Sequence, residues 1–493
     1  MRICAKGWLR PAHTSYLLLL AAVAAGAGWT VAARAETLNE ALASAYKVNP
    51  RLDAARATLR ATDEEVPRAI SGYRPTITGT ADTNFQNQNT RPNLPGAGNG
   101  SSNPRGYAVQ LVQPLFKGFQ TVNAVSEAEA TVRAGRETLR SVEQSVLLEA
   151  VTAYLDVVRD QAIVRLRENN VTVLTRDLRA TQDRFNVGEV TRTDVAQAQA
   201  RRAAAVSALD LAKSNLQTSR ATYERVIGHP PSNLIEPKQS SLVPKTLNDS
   251  SEISGRENPA VVAALYREQA AKFAVDRIRG ERLPEARLEA NYQRRFDESV
   301  QVESQEQTTV TGRLIVPFYS GGEVEARVRQ AKHTHVSRLQ EIEQARTEVL
   351  AQVVAAWSQL IAAKAQLESD QASVDANRIA LAGVREEERV GQRTLLDVLN
   401  AEQELLNSEV NLVTTKRNLV VASYNVLSTI GRLNSQELGV ASLVYDPEAH
   451  YLEVRRKWFD VNITHSDGRR ETLEGPPPPP PAPPPRTGSK PAK

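Results

Sequence analysis

The sequence predicts a mainly α-helical fold with a small β portion, built from two tandem copies of a unit that combines long coiled-coil helices with a β-hairpin. Three observations carry this prediction. One motif returns 203 positions later, two stretches of about 65 residues lack proline, and each copy holds two short segments in which apolar and polar residues alternate.

The first 35 residues are expected to be a secretory signal that is removed. Basic residues precede an apolar run from Tyr16 to Gly28, and a small-x-small cleavage site follows at Ala33-Arg34-Ala35. A membrane anchor is the alternative, and the shortness of the run disfavours it. The signal holds the only cysteine, Cys4, so the mature chain is expected to have no disulfide, no thiolate ligand and no lipid-accepting N-terminal cysteine.

The charge of the mature chain argues against a nucleic-acid partner. The whole chain has 61 basic and 57 acidic side chains, and the predicted signal removes four basic ones and no acid. The balance that remains is neutral, whereas nucleic-acid binding normally needs a clustered basic face. Aromatic residues make up only 5% of the chain, which is not typical of two or three stacked globular cores.

The repeat defines the predicted domain boundaries. Pro114 to Gly118 reads PLFKG and returns as PFYSG at Pro317 to Gly321, and the same offset holds as far as Ile430-Gly431. A constant offset is expected where an insertion would rotate the packed face of a helix. The predicted units are a first repeat (36–235, hairpin at about 76–116), a linker (236–250), a second repeat (251–432, hairpin at about 285–318), a C-terminal segment (433–473) and a proline-rich disordered tail (474–493).

Each copy is expected to begin with a helix and to continue into a hairpin. Thr37 is the predicted cap of the first helix, which Asn49-Pro50 interrupts. In the first copy a loop rich in Pro, Gly, Asn and Ser, Asn89 to Gly106, separates the two predicted strands, and a shorter polar stretch, Asp297 to Gln307, replaces it in the second copy.

After the hairpin, each copy contains about 65 residues that predict a helix of about 100 Å. A glycine turn at Gly188 or Gly391 then leads into a second helix of almost 40 residues. Apolar residues recur every seven positions, a period that imposes left-handed supercoiling; the second copy shows this at Val398, Leu405, Leu412, Leu419 and Val426. A plain coiled-coil rod, as in a structural or adhesive surface protein, is the alternative.

The alternating segments favour a membrane barrel over such a rod. Apolar residues alternate with polar ones from Arg287 to Arg295, from Val310 to Phe318 and from Tyr107 to Leu111, and more weakly from Ile77 to Phe85. A half-buried soluble hairpin gives the same pattern, but four such segments in an exported chain are typical of a transmembrane β-barrel. Four strands cannot close a barrel and an open edge is forbidden in lipid, so several chains are expected to share one barrel; three chains would give twelve strands, which leaves room for a lumen.

The chain resembles the TolC family of outer-membrane efflux and type I secretion channels over nearly all of residues 36–440. The motifs that carry the resemblance are TLNEALASAYKVNP (Thr37 to Pro50), the two strand-end segments, and the tips RFNVGEVTRTD (Arg184 to Asp194) and EERVGQRTLLD (Glu387 to Asp397). The resemblance implies a homotrimer in outer-membrane lipid of a Gram-negative bacterium, whose shared barrel continues as an α-barrel tunnel into the periplasm. It also implies a passive duct that a periplasmic adaptor couples to an inner-membrane ABC or proton-driven pump, for protein secretion or drug efflux.

The resemblance also implies site residues at the tips. Thr193, Asp194 and Arg393 match members of the family's periplasmic gate. The gate's tyrosine is Glu388, which would repel Asp194 or pair with Arg389 or Arg393. Capping of a helix is the alternative role of Thr193 and Asp194, and an ordinary surface ion pair is the alternative for Arg393.

Two further sets of residues follow from the resemblance. Asp397 matches one of two acidic rings at the tunnel entrance, and Asn400 replaces the other, so cation selectivity is expected to rest on one ring. The adaptor is expected to contact the two tip turns, Val187, Gly188, Glu189, Val390, Gly391 and Gln392.

Nothing in the sequence indicates an enzyme, a cofactor or a metal site. His333 and His335 are two positions apart on a predicted helix and therefore point in different directions. The segment from Leu443 to Thr464 contains several aromatic residues and is expected, by the resemblance, to pack near the middle of the tunnel.

Overall fold

The computed structural model describes residues 35–89, 91, 100–299, 302–439, 445–459, 461–465 and 469–471. The predicted signal before Ala35, most of the first hairpin loop and the proline-rich tail lie outside the described residues.

Ten α-helices lie in the described part of the chain. They are α1 (Leu38–Val48), α2 (Pro50–Asp63), α3 (Glu65–Ile70), α4 (Gln120–Asn186), α5 (Arg192–Ile227), α6 (Leu247–Glu257), α7 (Pro259–Arg279), α8 (Glu323–Arg389), α9 (Leu395–Thr429) and α10 (Ala449–Val454). Two 3₁₀ turns, Ser71–Tyr73 and Gly280–Arg282, precede the first strand of each copy. Within the described ranges, no helix is both long and apolar enough to cross a lipid bilayer.

The long helices confirm the coiled-coil prediction. α4 and α8 have 67 residues each, while α5 has 36 and α9 has 35. At 1.5 Å per residue, each 67-residue helix is about 100 Å long. Each folds back on its partner, so that α4 with α5 and α8 with α9 form two antiparallel coiled coils, and α7 packs between α4 and α8.

The main core lies where the helices of both copies meet. Tyr154 of α4 and Tyr223 of α5 are fully buried in it. The Tyr154 hydroxyl donates to the carbonyl oxygen of Glu36 at 2.8 Å, and the Tyr223 hydroxyl donates to the Glu36 carboxylate at 2.7 Å. Burial raises the pKa of Tyr154 to about 12, and burial together with the Glu36 carboxylate raises that of Tyr223, so both phenols stay protonated and keep donating. These bonds anchor the start of the described chain to the first coiled coil.

The strands form one four-stranded antiparallel sheet. Its members are β1 (Thr76–Thr83), β4 (Arg105–Lys117), β5 (Glu285–Ser299) and β6 (Val302–Ile315), in the order β1-β4-β5-β6. Two short strand pairs lie outside this sheet: β2 (Gln86–Gln88) pairs with β3 (Gly100–Ser102), and β7 (Ile463–Thr464) pairs with β8 (Arg470–Glu471). The strands of the second hairpin are longer than expected, because β5 ends at Ser299 and β6 begins at Val302, both within the polar stretch from Asp297 to Gln307. β6 ends at Ile315, since Pro317 cannot donate to a strand ladder, so Phe318 lies beyond the strand.

The register of the strands places the apolar residues of the alternating segments on one face of the sheet and the polar residues on the other. One cross-strand row contains Ile77, Leu111, Ala290 and Val310, and the next contains Gly79, Val109, Tyr292 and Thr308. The opposite face carries polar rows, for example Thr78, Gln110, Asn291 and Thr309. Because residue faces alternate along a strand, the sheet has one apolar and one polar surface.

The apolar surface has defined ends. Arg294 and Glu306 mark the loop end; they lie in the same cross-strand row as Tyr107, whose ring contacts that of Tyr292. At the helical end, a bulge between Pro114 and Phe116 places Phe116 in register with Ala286 on the apolar face. From Tyr107 to Leu115 the strand measures about 27 Å at ~3.4 Å per residue, close to the ~25 Å apolar band of outer-membrane barrels.

The C-terminal segment runs along the helices towards the sheet. The Tyr445 backbone N–H donates to the Tyr46 hydroxyl at 3.1 Å, His450 contacts Asp63 at the end of α2 at 3.0 Å, and Arg74 donates to the Lys457 carbonyl at 2.8 Å. The segment therefore extends from the first helix to the base of β1.

Candidate functional site: the helical tips

The two tips of the coiled coils have the same backbone turn. In the first, the Gly188 N–H donates to the Phe185 carbonyl at 3.0 Å and the Glu189 N–H donates to the Arg184 carbonyl at 2.9 Å. Gly391 and Gln392 repeat both bonds in the second tip. This is the Schellman arrangement that closes a helix with a left-handed residue, and the φ angles of 82° at Gly188 and 78° at Gly391 are the reason for glycine there.

A capping box opens the helix after each turn. Thr191 caps α5, its N–H and hydroxyl donate to the Asp194 carboxylate at 2.9 and 2.8 Å, and the Asp194 N–H donates back to its hydroxyl at 3.3 Å. Thr394 and Asp397 form the same box at α9. Capping therefore does explain Asp194, but the cap is Thr191 and not Thr193, which lies inside the first turn. The T-x-x-D spacing at both tips is a sequence signal for this box that the family motif obscured.

The capping box also sets the ionisation of Asp397. Its carboxylate accepts the backbone N–H and the hydroxyl of Thr394, and these bonds, with a smaller contribution from Arg393, lower its pKa below the usual range. The capping bonds therefore favour the charged form of the side chain. Asp397 therefore caps α9, and its place in an acidic ring stays an expectation.

The two charged gate candidates on the second tip have partners within the chain. Arg393 Nε lies 2.9 Å from a Glu387 oxygen. Glu388 pairs with Arg184 of α4, with 2.7 Å between Nη1 and Oε1. The expected partners of Glu388 were Arg389 or Arg393, and both are wrong: Arg389 instead pairs with Glu386, three residues earlier on the same helix, because a helix places i,i+3 side chains together.

Two contacts link the first coiled coil to the second near the tips. Arg184–Glu388 joins α4 to α8. Arg201 of α5 donates to the Asn400 amide oxygen of α9 at 2.6 Å. Asn400, expected from the sequence only as the residue in place of the second acidic ring, thus links α9 to α5. Sequence reasoning missed Arg184 and Arg201, because each lies about 200 positions from its partner.

Two more carboxylates at the same level have a buried oxygen atom. Glu402 of α9 is 7% exposed and pairs with Arg385 of α8 at 2.5 Å, while its second oxygen has no partner among the described residues. Asp177 of α4 likewise has an unpartnered buried oxygen within the described chain. Burial raises the pKa of both groups; the charge of Asp177 raises the pKa of Glu402 further, and the charge of Glu388 raises that of Asp177 further. The contact between the coiled coils therefore combines these polar groups with a small apolar cluster of Leu174, Ala205 and Leu399.

The tip turns themselves are open to solvent. Val187 is 72% exposed and Val390 is 65% exposed. Two exposed apolar side chains at the ends of rigid helices are well placed for a protein contact. In the described part of the chain, no three potential ligand side chains form a metal-binding group.

The chain matches known proteins over most of its length. The model of the outer membrane efflux protein family matches residues 41–229 and 254–432, which correspond to the two copies of the repeat. The outer membrane efflux protein BepC of Brucella suis is 38% identical over 440 residues, which cover 89% of this chain and 94% of that protein. The alkaline protease secretion protein AprF of Pseudomonas aeruginosa is 27% identical over 305 residues, or 60% and 63% of the two chains.

A solved structure has the same fold. The outer membrane channel CmeC of Campylobacter jejuni superposes with a TM-score of 0.72 at 16% identity, over 85% of this chain and 89% of that one. Family model, close relative and fold agree with the resemblance drawn from the tip and strand-end motifs. The chain therefore belongs to the outer membrane efflux protein family, and it is an outer-membrane channel protein of an export system and not an enzyme.

Proposed function

We propose that three copies of this chain form one passive duct across the outer membrane and the periplasm. The observation that carries this proposal is the sheet, which has an apolar face, a polar face and two unpaired edges, β1 and β6. An unpaired edge cannot stand in lipid. Pairing β1 of each copy with β6 of the next closes twelve strands with the apolar face towards lipid and the polar face towards a lumen.

The long coiled coils then continue the lumen as a helical tunnel, and the tips meet a periplasmic adaptor that couples the duct to an inner-membrane pump. Support for this comes from the paired tip turns, their exposed valines, and relatives named for efflux and for protease secretion. Asp397 from three copies would place three carboxylates around one axis, which favours entry of cations. The ion pair between Arg184 and Glu388 and the hydrogen bond from Arg201 to Asn400 would hold the second coiled coil against the first until the adaptor engages.

Bilayer recordings test the duct. The mature protein, purified from outer membranes and added to a planar lipid bilayer, should give discrete conductance steps that divalent cations reduce from the tip side. Asp397→Ala should weaken this block, whereas Asp210→Ala, which removes an exposed carboxylate in the middle of α5, should not. A purified trimer that never conducts, even with Arg184→Ala, would refute the proposal.

Photo-crosslinking tests the adaptor contact. A benzophenone side chain at Val390 should capture a periplasmic protein in living cells, and mass spectrometry should identify it as an adaptor. The same probe at Leu211, which is 64% exposed on α5 but remote from the tips, is the matched control. Equal capture at both positions would remove the tips from the adaptor interface.

A further inference from the structure

The last aromatic residues in the described chain lie beside the base of the sheet. Arg74 Nη1 donates to the Lys457 carbonyl at 2.8 Å, and the Arg74 guanidinium lies 4.6 Å from the ring centre of Trp458. Arg74 is two residues before β1, which begins at Thr76. Trp458 is therefore within a few ångströms of the level at which strands give way to helices.

This level is already rich in exposed aromatic side chains. Phe119 is 58% exposed, and Phe318 and Tyr319, which follow β6, are 94% and 83% exposed. Aromatic residues are enriched where a membrane meets water, and outer-membrane barrels carry a girdle of them at each interface. In the proposed duct, this girdle marks the periplasmic leaflet of the outer membrane.

The C-terminal segment adds its own apolar surface beside that girdle. Leu452, Trp458, Phe459, Val461 and Ile463 are between 54% and 92% exposed, with Phe459 the most exposed. Five such side chains within twelve residues form an apolar patch that water does not favour. Two contacts hold the segment against the helices: His450 contacts Asp63 of α2, and Arg455 pairs with Glu129 of α4.

The charge beside the patch points to an anionic partner. Arg455, Arg456 and Lys457 are consecutive and directly precede Trp458. Glu129 and Glu453 neutralise the first and the third. Arg456 is exposed and has no ion pair among the described residues. A basic residue next to aromatic side chains is the pattern of an interfacial lipid anchor.

We infer that residues 452–459 and 461–463 dock on the phospholipid headgroup layer of the periplasmic leaflet, with Trp458 and Phe459 inserted at its boundary and Arg456 against an anionic phosphate. This inference rests on the proposed barrel, because the barrel places the strand ends at that leaflet. The segment would fix the depth of the duct from outside the barrel. A neighbouring copy of the chain is the alternative cover for the patch, but it explains neither the exposed Arg456 nor the continuity with the girdle.

Tryptophan fluorescence with brominated phospholipids tests the inference. The chain has four tryptophans, of which Trp8 and Trp29 lie in the predicted signal, so the mature protein should contain only Trp357 and Trp458. The variant Trp357→Phe is reconstituted in phosphatidylcholine vesicles whose acyl chains are brominated near the headgroup. Its Trp458 emission should fall about twofold relative to unbrominated vesicles, since an interfacial indole lies close to those carbons. Arg456→Gln should reduce the additional quenching that appears when brominated phosphatidylglycerol is included.

Two controls separate the possible outcomes. In Trp458→Phe, the remaining Trp357 lies 34 residues along α8, about 50 Å from the sheet, and should not be quenched. A Leu314→Trp reporter in β6, with both native tryptophans changed to Phe, should be quenched if the sheet is in lipid. If this strand reporter is not quenched, the proposed duct fails. If it is quenched but Trp458 is not, the anchor alone is refuted, and protection of Trp458 from acrylamide would then assign the patch to a neighbouring copy.

Discussion

At the scale of single residues, each tip contains a carboxylate that caps its own helix. Asp397 accepts two bonds from Thr394, and Asp194 accepts two from Thr191. The cap and any role in the tunnel entrance therefore belong to the same atoms. Substitutions that separate charge from hydrogen bonding can tell the two apart.

Asp397→Asn should weaken divalent-cation block while leaving stability nearly unchanged, because the amide oxygen can still accept from Thr394. Thr394→Ala should do the opposite: it removes the cap, which costs about 1 kcal/mol, and keeps the charge. Bilayer recordings and thermal unfolding of both variants provide the comparison. If Thr394→Ala abolished the block as fully as Asp397→Asn did, the acidic ring would lose its support.

The block should also survive mild acid. Because hydrogen bonds from Thr394 lower the pKa of Asp397, the bonds to its charged form contribute stability above the ordinary aspartate value of about 3.9. That contribution is lost only as the pH falls through the lower folded value. Divalent block measured against pH should therefore persist down to about pH 4. A midpoint well above pH 5 would mean that repulsion among the carboxylates of the ring outweighs the cap.

Breaking the pair between Arg184 and Glu388 should favour the open duct. A partly exposed ion pair contributes up to about 1 kcal/mol, so Glu388→Gln should raise the open probability about twofold to fivefold for each link. Single-channel recording gives this number, and the swap Arg184→Glu with Glu388→Arg should restore the closed state. Glu386→Gln, which breaks a pair within α8 only, should have no effect; an equal effect would exclude the link as a latch.

How much of the site the sequence could predict depends on distance along the chain. The turns at Gly188 and Gly391 and the caps at Asp194 and Asp397 are local patterns. The contact between Arg184 and Glu388 joins residues 204 positions apart, and no local pattern specifies it. The buried Glu402 was missed because a glutamate within a heptad helix is normally on the solvated face.

At the scale of elements, the two copies meet through a close contact of two glycines. A Cβ on Gly280, in the turn before β5, would lie 2.2 Å from the Gly118 carbonyl oxygen, and a Cβ on Gly118 would equally clash with the Gly280 carbonyl. Gly280 has an ordinary φ of −60°, so only the contact requires glycine there. This contact fixes the first long helix against the second hairpin, directly below the sheet.

Gly280→Ala should therefore destabilise the protein by about 1–3 kcal/mol, the usual cost of overpacking, and lower the yield of assembled trimer. Gly255→Ala is the control, because its added Cβ meets nothing within 4 Å and it lies inside α6, where alanine is the better helix former. Denaturant unfolding of the purified proteins measures both. Equal stability of the two variants would show that the glycine contact is not needed.

The periodicity of the sequence determines the lengths of some elements but not of others. The lengths of α4, α5, α8 and α9 follow from the spacing between glycine turns, because proline-free heptads admit only a continuous helix. The ends of β5 and β6 do not follow from the sequence pattern, because the polar residues that extend these strands have the composition of a loop. The path of the C-terminal segment depends on single contacts, such as His450 with Asp63, which have no period.

At the scale of the whole molecule, a single copy of the chain leaves its sheet incomplete. Its sheet has two open edges, β1 and β6, and an apolar face that one copy cannot cover. Strands and tips lie at opposite ends of helices of about 100 Å, which matches a duct that starts in the outer membrane and ends deep in the periplasm. The duplication thus builds the wall of the tube, while the differences between its copies lie at the tips.

The most direct test of this account is disulfide trapping between β1 and β6. Cysteine replaces Thr80 on the polar face of β1 together with Gln305, Gln307 or Thr309, in turn, on the polar face of β6. Within one chain these strands are separated by β4 and β5, or about 14 Å at ~4.8 Å per strand, too far for a disulfide. At least one pair should give covalent dimers and trimers, and nothing larger, on non-reducing gels, whereas Thr308→Cys on the opposite face should not. Monomers at every position, or polymers beyond three chains, would contradict a barrel closed by three copies.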